Sequence, residues 1–412
     1  MSQPKYHSNN TSSLAVNHTD DFSGSIRNNR NFSDDDYDTD LEGELNNQLN
    51  KTYTQISPYE QYMDLCNSFG IVPVSLFIKE MNTDCIDLKY HGIGPQGIKA
   101  LSAPLATNTT VTKLDLTENF MGPSACLDLA DMLTENCYIT DLNISGNLIG
   151  ETDQERGGKA LAIIIKENSY IQKLNLSHNY LGDVCSDYLQ DALKVNLKLQ
   201  ELDLSNNEFG EAGGISLGMG VANNESLKKI NLSYNVIRQN GAIALAAALK
   251  VNITLKHFDV GWNGFGDEGA FAVAEALKVN NSLLAIDLSH NRISDTGLTF
   301  LAQALGQNDT LKELRIGHNL ISPCGLIKIL DAVEENSKSA LEKIDVEGLI
   351  ADIPLIERLK EFHDNWNRSR MELTVDRFVV TGLTEFKMEK KKQKEKRDRL
   401  KAEQAEREQA LQ

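Results

Sequence analysis

Along most of this chain the apolar residues keep two alternating rhythms. At Lys229-Ile230-Asn231-Leu232-Ser233, polar and apolar positions alternate, the period of a half-buried strand. A few residues on, Gly241, Ile243, Ala244, Leu245, Ala248 and Leu249 fall at helical spacing. The pair recurs, each time opened by the phrase Leu-x-x-Leu-x-Leu-x-x-Asn, as from Leu199 to Asn207. The closing asparagines are Asn119, Asn147, Asn179, Asn207, Asn235, Asn263, Asn291 and Asn319. Six of the seven intervals between them are 28 residues, and one, Asn147 to Asn179, is 32. A fixed period of this size predicts a solenoid, in which each unit buries its apolar side against the next.

The pattern divides the chain into five parts. Residues 1–57 are rich in Asn, Ser, Thr and Asp and predict a disordered acidic tail. Within them, Ser33 followed by three aspartates resembles an acidophilic kinase site, or is simply part of a solvated tail. Residues 58–84 regain apolar character, and Gly70 and Pro73 break them into two short helices that would cap the first unit. Residues 85–350 hold the repeats: a degenerate first unit with Gly92 in the asparagine place, eight regular units, and a truncated last one from Leu341 to Val346. Residues 351–385 read as a C-terminal cap or small subdomain. Residues 386–412 read as an exposed charged helix, with nine Lys/Arg and three acids from Lys387 to Lys401. That segment has the charge to bind acidic protein, membrane surface or RNA, or to do nothing beyond solvation. The fold class is α/β: a horseshoe-shaped solenoid with parallel strands on the concave face and helices on the convex face.

Composition narrows the function classes. At 41% hydrophobic and only 6% aromatic, the 412 residues suit a long core of Leu, Ile, Val and Ala. The net charge of −18 argues against nonspecific binding to nucleic acid or anionic membrane, and leaves either a basic partner or plain solubility. No apolar run reaches membrane-spanning length and no secretory leader is evident. Cys66, Cys85, Cys126, Cys137, Cys185 and Cys324 show no CxxC spacing and read as reduced thiols, so the expected location is cytoplasmic.

The asparagines have a structural job in this reading: their amides pair turn backbone that would otherwise be buried unsatisfied, forming a ladder. Polar strand residues form three columns facing the groove. The first runs Asp115, Asn143, Asn175, Asp203, Asn231, Asp259, Asp287, Arg315. The second is small, from Thr117 to Gly317. The third, just before each asparagine, runs Glu118, Gly146, His178, Asn206, Tyr234, Trp262, His290, His318. Aromatic residues are enriched among binding hot spots, so Tyr234 and Trp262 lead the candidate contacts; the alternative is that the rings stack and shield the ladder. Asp203, Asp259, Asp287, His290, Arg315 and His318 complete the candidate partner face. His290 and His318 lack a third ligand for a metal, and there is no nucleophile elbow, HExxH or phosphate loop. No cofactor, catalytic residue or metal is expected. The four residues added around Glu151 to Arg156, before a helix starting at Gly157-Gly158, form a loop that is either a contact or merely tolerated.

The repeat unit resembles the ribonuclease-inhibitor-like class of leucine-rich repeats over roughly residues 85–346. The segment from Tyr62 to Ser75, joined to Tyr90 through Gly97, looks like the leucine-rich-repeat-containing protein 74 family. The resemblance implies an intracellular repeat protein with no assigned chemistry; the solenoid itself reads as a non-catalytic interaction scaffold whose concave face binds another, unnamed protein. The alternative is a GTPase activator similar to the Ran GTPase-activating protein. Activators often supply an arginine to the transferred phosphate, yet the early columns hold none, leaving only Arg156 in the loop and the distant Arg315.

Overall fold

A computed structural model describes residues 57–365, 372–375 and 378–380. The readings of residues 1–56 (including Ser33) and of residues 386–412 lie outside the described residues, as does the last part of the 351–385 segment. The unit from Ser57 onward is built on one twelve-stranded sheet whose strands follow in chain order, β1 to β12. The first eleven are parallel to their neighbours, and β12 (Phe378–Val380) turns back antiparallel to β11 (Glu372–Val375).

Each strand is only three or four residues long, and in the first eleven the second residue is apolar and buried. Leu142 in β3 (Asp141–Asn143), Leu202 in β5 (Glu201–Asp203) and Phe258 in β7 (His257–Asp259) are all buried. Register follows the repeat: Leu202 pairs with Ile230, Ile230 with Phe258, and Phe258 with Ile286. A helix follows every strand up to β10, and each buries a Leu/Ala/Gly stripe against the sheet and its neighbour helices. In Asn240–Val251 the buried set is Gly241, Ala242, Leu245, Ala246, Ala248 and Leu249. Burying such a leucine or isoleucine stabilises by about 1.5–3 kcal/mol, and stacking multiplies this into one continuous core.

The N-terminal end is closed by helices Pro58–Phe69 and Ser75–Glu80. Ser57 and Glu60 form a capping box on the first helix, and Gly70, at φ 66°, ends it in a left-handed turn. Tyr62 packs edge-on against Phe77 at 4.7 Å and accepts a hydrogen bond from Val74 N–H at 2.9 Å. The exposed edge of β1 (Cys85–Asp87) is blunted where Asp87 N–H donates to the Glu80 carboxylate at 2.9 Å.

At the other end, helix Ile353–Asn365 is fastened by Arg358, which pairs with Asp331 and Glu334 of the preceding helix. The apolar segment around Leu373 adds strand β11 to the same sheet, beside β10 (Lys343–Val346). The extra residues of the second regular unit are partly helix. Helix Gln154–Glu167 begins before the glycine pair, because Asp153 caps it by accepting from Arg156 N–H at 2.9 Å.

Candidate functional site

The strand face carries the columns, and its backbone is organised by polar side chains. In the first column, Asp203 Oδ1 accepts from Ser205 N–H at 2.9 Å, Asp259 from Gly261 N–H at 3.0 Å, and Asp287 from Ser289 N–H at 2.9 Å. Asn143, Asn175 and Asn231 make the same bond. This column therefore holds the end of each strand by an Asx turn, a role its alternation with the core leucines did not reveal. Arg315 breaks the series: its guanidinium lies 3.5 Å from Asp287 and 2.8 Å from Glu313.

The eight phrase-closing asparagines form a hydrogen-bonded series. Asn207 Oδ1 accepts from Asn179 N–H and Leu181 N–H, both at 3.0 Å, while its Nδ2 donates to the carbonyls of Leu176 and Leu204. Asn119 reaches back to His91 and Ile93 of the first unit, and Asn147 donates to Leu116 carbonyl at 2.8 Å. Asn179 donates to Ile144 carbonyl, Asn235 to Leu204, Asn263 to Leu232, Asn291 to Val260 and Asn319 to Leu288. All are buried except Asn319, which is partly so.

A second ladder lies at the opposite end of the strands, where each helix returns. Its rungs are Asn108, Asn136, Asn168, Asn196, Asn224, Asn252, Asn280, Asn308 and Asn336. Asn252 Nδ2 donates to Val221 and Asn224 carbonyls at 2.8 and 3.0 Å, and its Oδ1 accepts from Thr254 and Leu255 N–H. The other rungs repeat this geometry, so helix C-termini that would otherwise end in orphan carbonyls are joined to the preceding unit. The spacing was visible in the sequence, including the same 32-residue step from Asn136 to Asn168.

The third column has an unexpected backbone. Glu118, His178, Asn206, Tyr234, Trp262, His290 and His318 all sit at φ 53–56°, and Gly146 at 67°. They are left-handed turn residues at the strand ends. In the C-terminal half their rings form one stack. Tyr234 and Trp262 lie 5.0 Å apart and 14° from parallel; Trp262 and His290 are 3.6 Å apart; His290 and His318 are 4.3 Å apart. The backbone of Gly348 lies against the His318 ring, so that a Cβ there would come within 2.6 Å of Nδ1. Trp262 and His290 thus have both faces covered and offer only edges, yet Tyr234 remains 48% exposed and Trp262 45% exposed.

Charge beside the stack is negative. Burial and the neighbouring Asp287 push the Asp259 carboxyl up to about 6, against the pull of the Gly261 N–H and Arg315. Burial and the adjacent His318 lower His290, with Asp287 and Glu347 opposing. Among the described residues no group of three or more His, Cys, Asp or Glu is arranged to hold a metal. In the N-terminal half, a concavity of about 400 Å³ opens between Glu118, His178, Tyr180 and Glu208; the sequence columns named two of these without showing the hollow. Arg156 points to the helix side, where it donates to Ser124 Oγ at 3.1 Å. The six cysteines are free, and no described helix is long and apolar enough to cross a membrane.

The chain is a leucine-rich-repeat solenoid: a family model described as Leucine Rich repeat matches residues 167–184, 195–218, 223–246, 251–274 and 279–302. It resembles Leucine-rich repeat-containing protein 74B. The Homo sapiens protein is 36% identical over 77 residues, 19% of this chain and 19% of that protein. The Mus musculus protein is 37% identical over 52 residues, 13% of each. The matched part thus spans about a fifth or less of either relative. Among solved structures, Leiomodin-1 Actin-Binding Site 2 (ABS2) shares 22% identity at a TM-score of 0.27, covering 39% of this chain and 80% of that one, a likeness too loose to bear on function. Leucine-rich repeats are in general protein-interaction modules.

Proposed function

We propose that this protein is a non-catalytic, cytoplasmic scaffold that binds a partner protein on the strand face of its repeats, chiefly through the half bearing Tyr234, Trp262, His290 and His318. The observation that carries this reading is the ring stack. Two large aromatic side chains stand nearly half exposed on a rigid face, at the edge of a row of carboxylates. Rigid, part-exposed Tyr and Trp next to polar groups are the composition of binding hot spots. Asp203, Asp259, Asp287 and Arg315 would supply the polar surround.

The test is affinity capture from cell extract with the wild type and with Tyr234→Ala/Trp262→Ala, the latter first checked for native circular dichroism. Loss of a specific protein in the double variant supports the strand face as the site. Identical capture by both sinks it, and the hollow at Glu118 and His178 becomes the next surface to test.

A further inference from the structure

The second column is hydroxylic except at Gly261 and Gly317, and at Gly317 a Cβ would meet the Glu347 backbone at 2.9 Å. Ser205 Oγ donates to Asp203 at 2.6 Å, Ser233 Oγ to Asn231 at 2.8 Å, and Ser289 Oγ to Asp287. The unit carrying Trp262 departs from this. Position 261 is glycine, so Asp259 receives only a main-chain N–H there. A Cβ at Gly261 would meet nothing closer than Asp287 Oδ1 at 3.3 Å, Asp259 Oδ1 at 3.4 Å and Ser289 Oγ at 3.4 Å. Gly261 is not in the left-handed region, so backbone conformation gives no reason for glycine. The missing hydroxymethyl leaves a notch walled by two carboxylates and a hydroxyl, one residue from the half-exposed Trp262 ring.

Charge at this notch is not required by the fold. Asn143, Asn175 and Asn231 make the same Asx turn with a neutral side chain, so asparagine would serve at 259 and 287. Instead, two carboxylates stand on adjacent strands, at strand spacing of about 4.8 Å. Arg315 answers Asp287 from the far side, 3.5 Å away, and is itself shared with Glu313. The charged groups around the notch are therefore Asp203, Asp259, Asp287 and Arg315, with the rings of Trp262 and His290 alongside.

We propose that the notch at Gly261 seats a cationic side chain, arginine or lysine, of a basic segment of the partner laid across the Tyr234–His318 stack. This rests on the strand-face reading above and names the chemistry of its ligand. Charge complementarity selects the occupant: Asp259 and Asp287 accept the cation's N–H donors, and Ser289 Oγ adds an acceptor. With both faces of Trp262 stacked, its exposed edge lies beside the seat and reports occupancy, while the attraction comes from the carboxylates. An acidic segment would add like charge beside Asp259 and Asp287, and an apolar one would leave Asp259, which has no direct ion pair among the described residues, without a cation.

The experiment uses the full chain carrying Trp366→Phe, so that Trp262 is the sole tryptophan, titrated with nona-arginine and with nona-glutamate at 0.15 M salt. Gly261→Ser fills the notch with the hydroxyl that Ser205, Ser233 and Ser289 already provide, and Asp259→Asn removes its charge while keeping the turn. Glu268→Gln/Glu275→Gln on the helix face controls for overall charge. The expected result is quenching of Trp262 by nona-arginine only, at least tenfold weaker in Gly261→Ser and in Asp259→Asn, and unchanged in the helix-face control. Equal weakening in the control, or nona-arginine binding that leaves Trp262 emission unmoved, overturns the proposal as general charge attraction. The two readings fail separately. A captured partner that is lost in Tyr234→Ala/Trp262→Ala but kept in Gly261→Ser upholds the strand face and rejects the cation seat.

Discussion

Replacing Asn207 with alanine tests the polar ladder at a buried middle rung. The side chain is only 7% exposed, so water has poor access to whatever it leaves behind. Two main-chain donors, Asn179 N–H and Leu181 N–H, lose the acceptor that both hold at 3.0 Å. The carbonyls of Leu176, Leu204 and Ser205 lose a donor at 3.0–3.1 Å, but Ser205 carbonyl still receives His178 N–H. Carbonyls with a second lone pair tolerate this better than orphaned N–H groups, so the two donors decide the cost. At about 1–3 kcal/mol for each buried unsatisfied group, Asn207→Ala should destabilise by roughly 2–6 kcal/mol. At about 2.1 cal/mol/K of unfolding entropy per residue over roughly 300 residues of repeats and caps, that lowers the thermal midpoint by roughly 3–9 °C. Circular dichroism melts and urea titrations would read it, with a reduced m-value if the solenoid splits at the broken rung. The partly exposed end rung, Asn319→Ala, should cost clearly less, because water can replace its amide. A midpoint for Asn207→Ala within about 1 °C of wild type, with m unchanged, would refute the reasoning.

Asn252→Ala should cost about 2–6 kcal/mol by the same logic on the helix-return side, measured by urea midpoint, since Thr254 and Leu255 N–H lose their acceptor. Gly241→Ala should destabilise by about 1–3 kcal/mol despite the roughly 1 kcal/mol that alanine gains in helix propensity, because its Cβ would lie 2.6 Å from the Glu211 carbonyl oxygen; a higher melting temperature would contradict the close approach. Asp259 is raised from 3.8 to about 6, so the folded chain keeps a proton that the unfolded chain has released, and the associated stability is full below 3.8 and lost as pH rises through about 6. Asp259→Asn should therefore be more stable than wild type at pH 7.5, by at most roughly 3 kcal/mol at 1.36 kcal/mol per unit, with the gain shrinking toward pH 4. A gain independent of pH would place its cause elsewhere.

The solenoid was legible because a strict period forces every unit into one environment. Once Leu202 is known to be buried, so are Leu174 and Ile230. The series from Asn119 to Asn319 stood inside the repeating phrase and could be given a physical task from its amide alone. The series from Asn108 to Asn336 kept the same spacing but lay between a helix end and the next strand, where no apolar alternation draws attention to it. Local conformation was harder. Glu118, Tyr234 and Trp262 are not residues that announce a left-handed turn, so alternation alone placed them in strands. Asp203 and Asp259 read as free acids because an Asx turn depends on the backbone two residues on, not on the side chain's neighbours in sequence. The helix start at Gln154 was hidden because the added residues supplied their own cap, Asp153.

The ring stack is where stability and binding part company. A left-handed backbone costs a non-glycine residue about 1–2 kcal/mol, and bulky side chains are the least suited to it. Gly146 occupies the equivalent place without that cost. Stacked rings return about 0.5–1.5 kcal/mol per pair, and three pairs do not outweigh four strained residues. Nor does burial make up the difference, with Tyr234 and Trp262 still nearly half in water. The fold alone therefore prefers glycine or asparagine at 234 and 262, as it has at Gly146 and Asn206. Strain alone does not single out this end, since Glu118 and His178 hold the same backbone; what is particular to it is the stack of part-exposed rings. The rings are confined to the units from Tyr234 to His318, beside Asp259, Asp287 and the notch at Gly261. That confinement is the reason the proposed contact is placed at this end of the strand face.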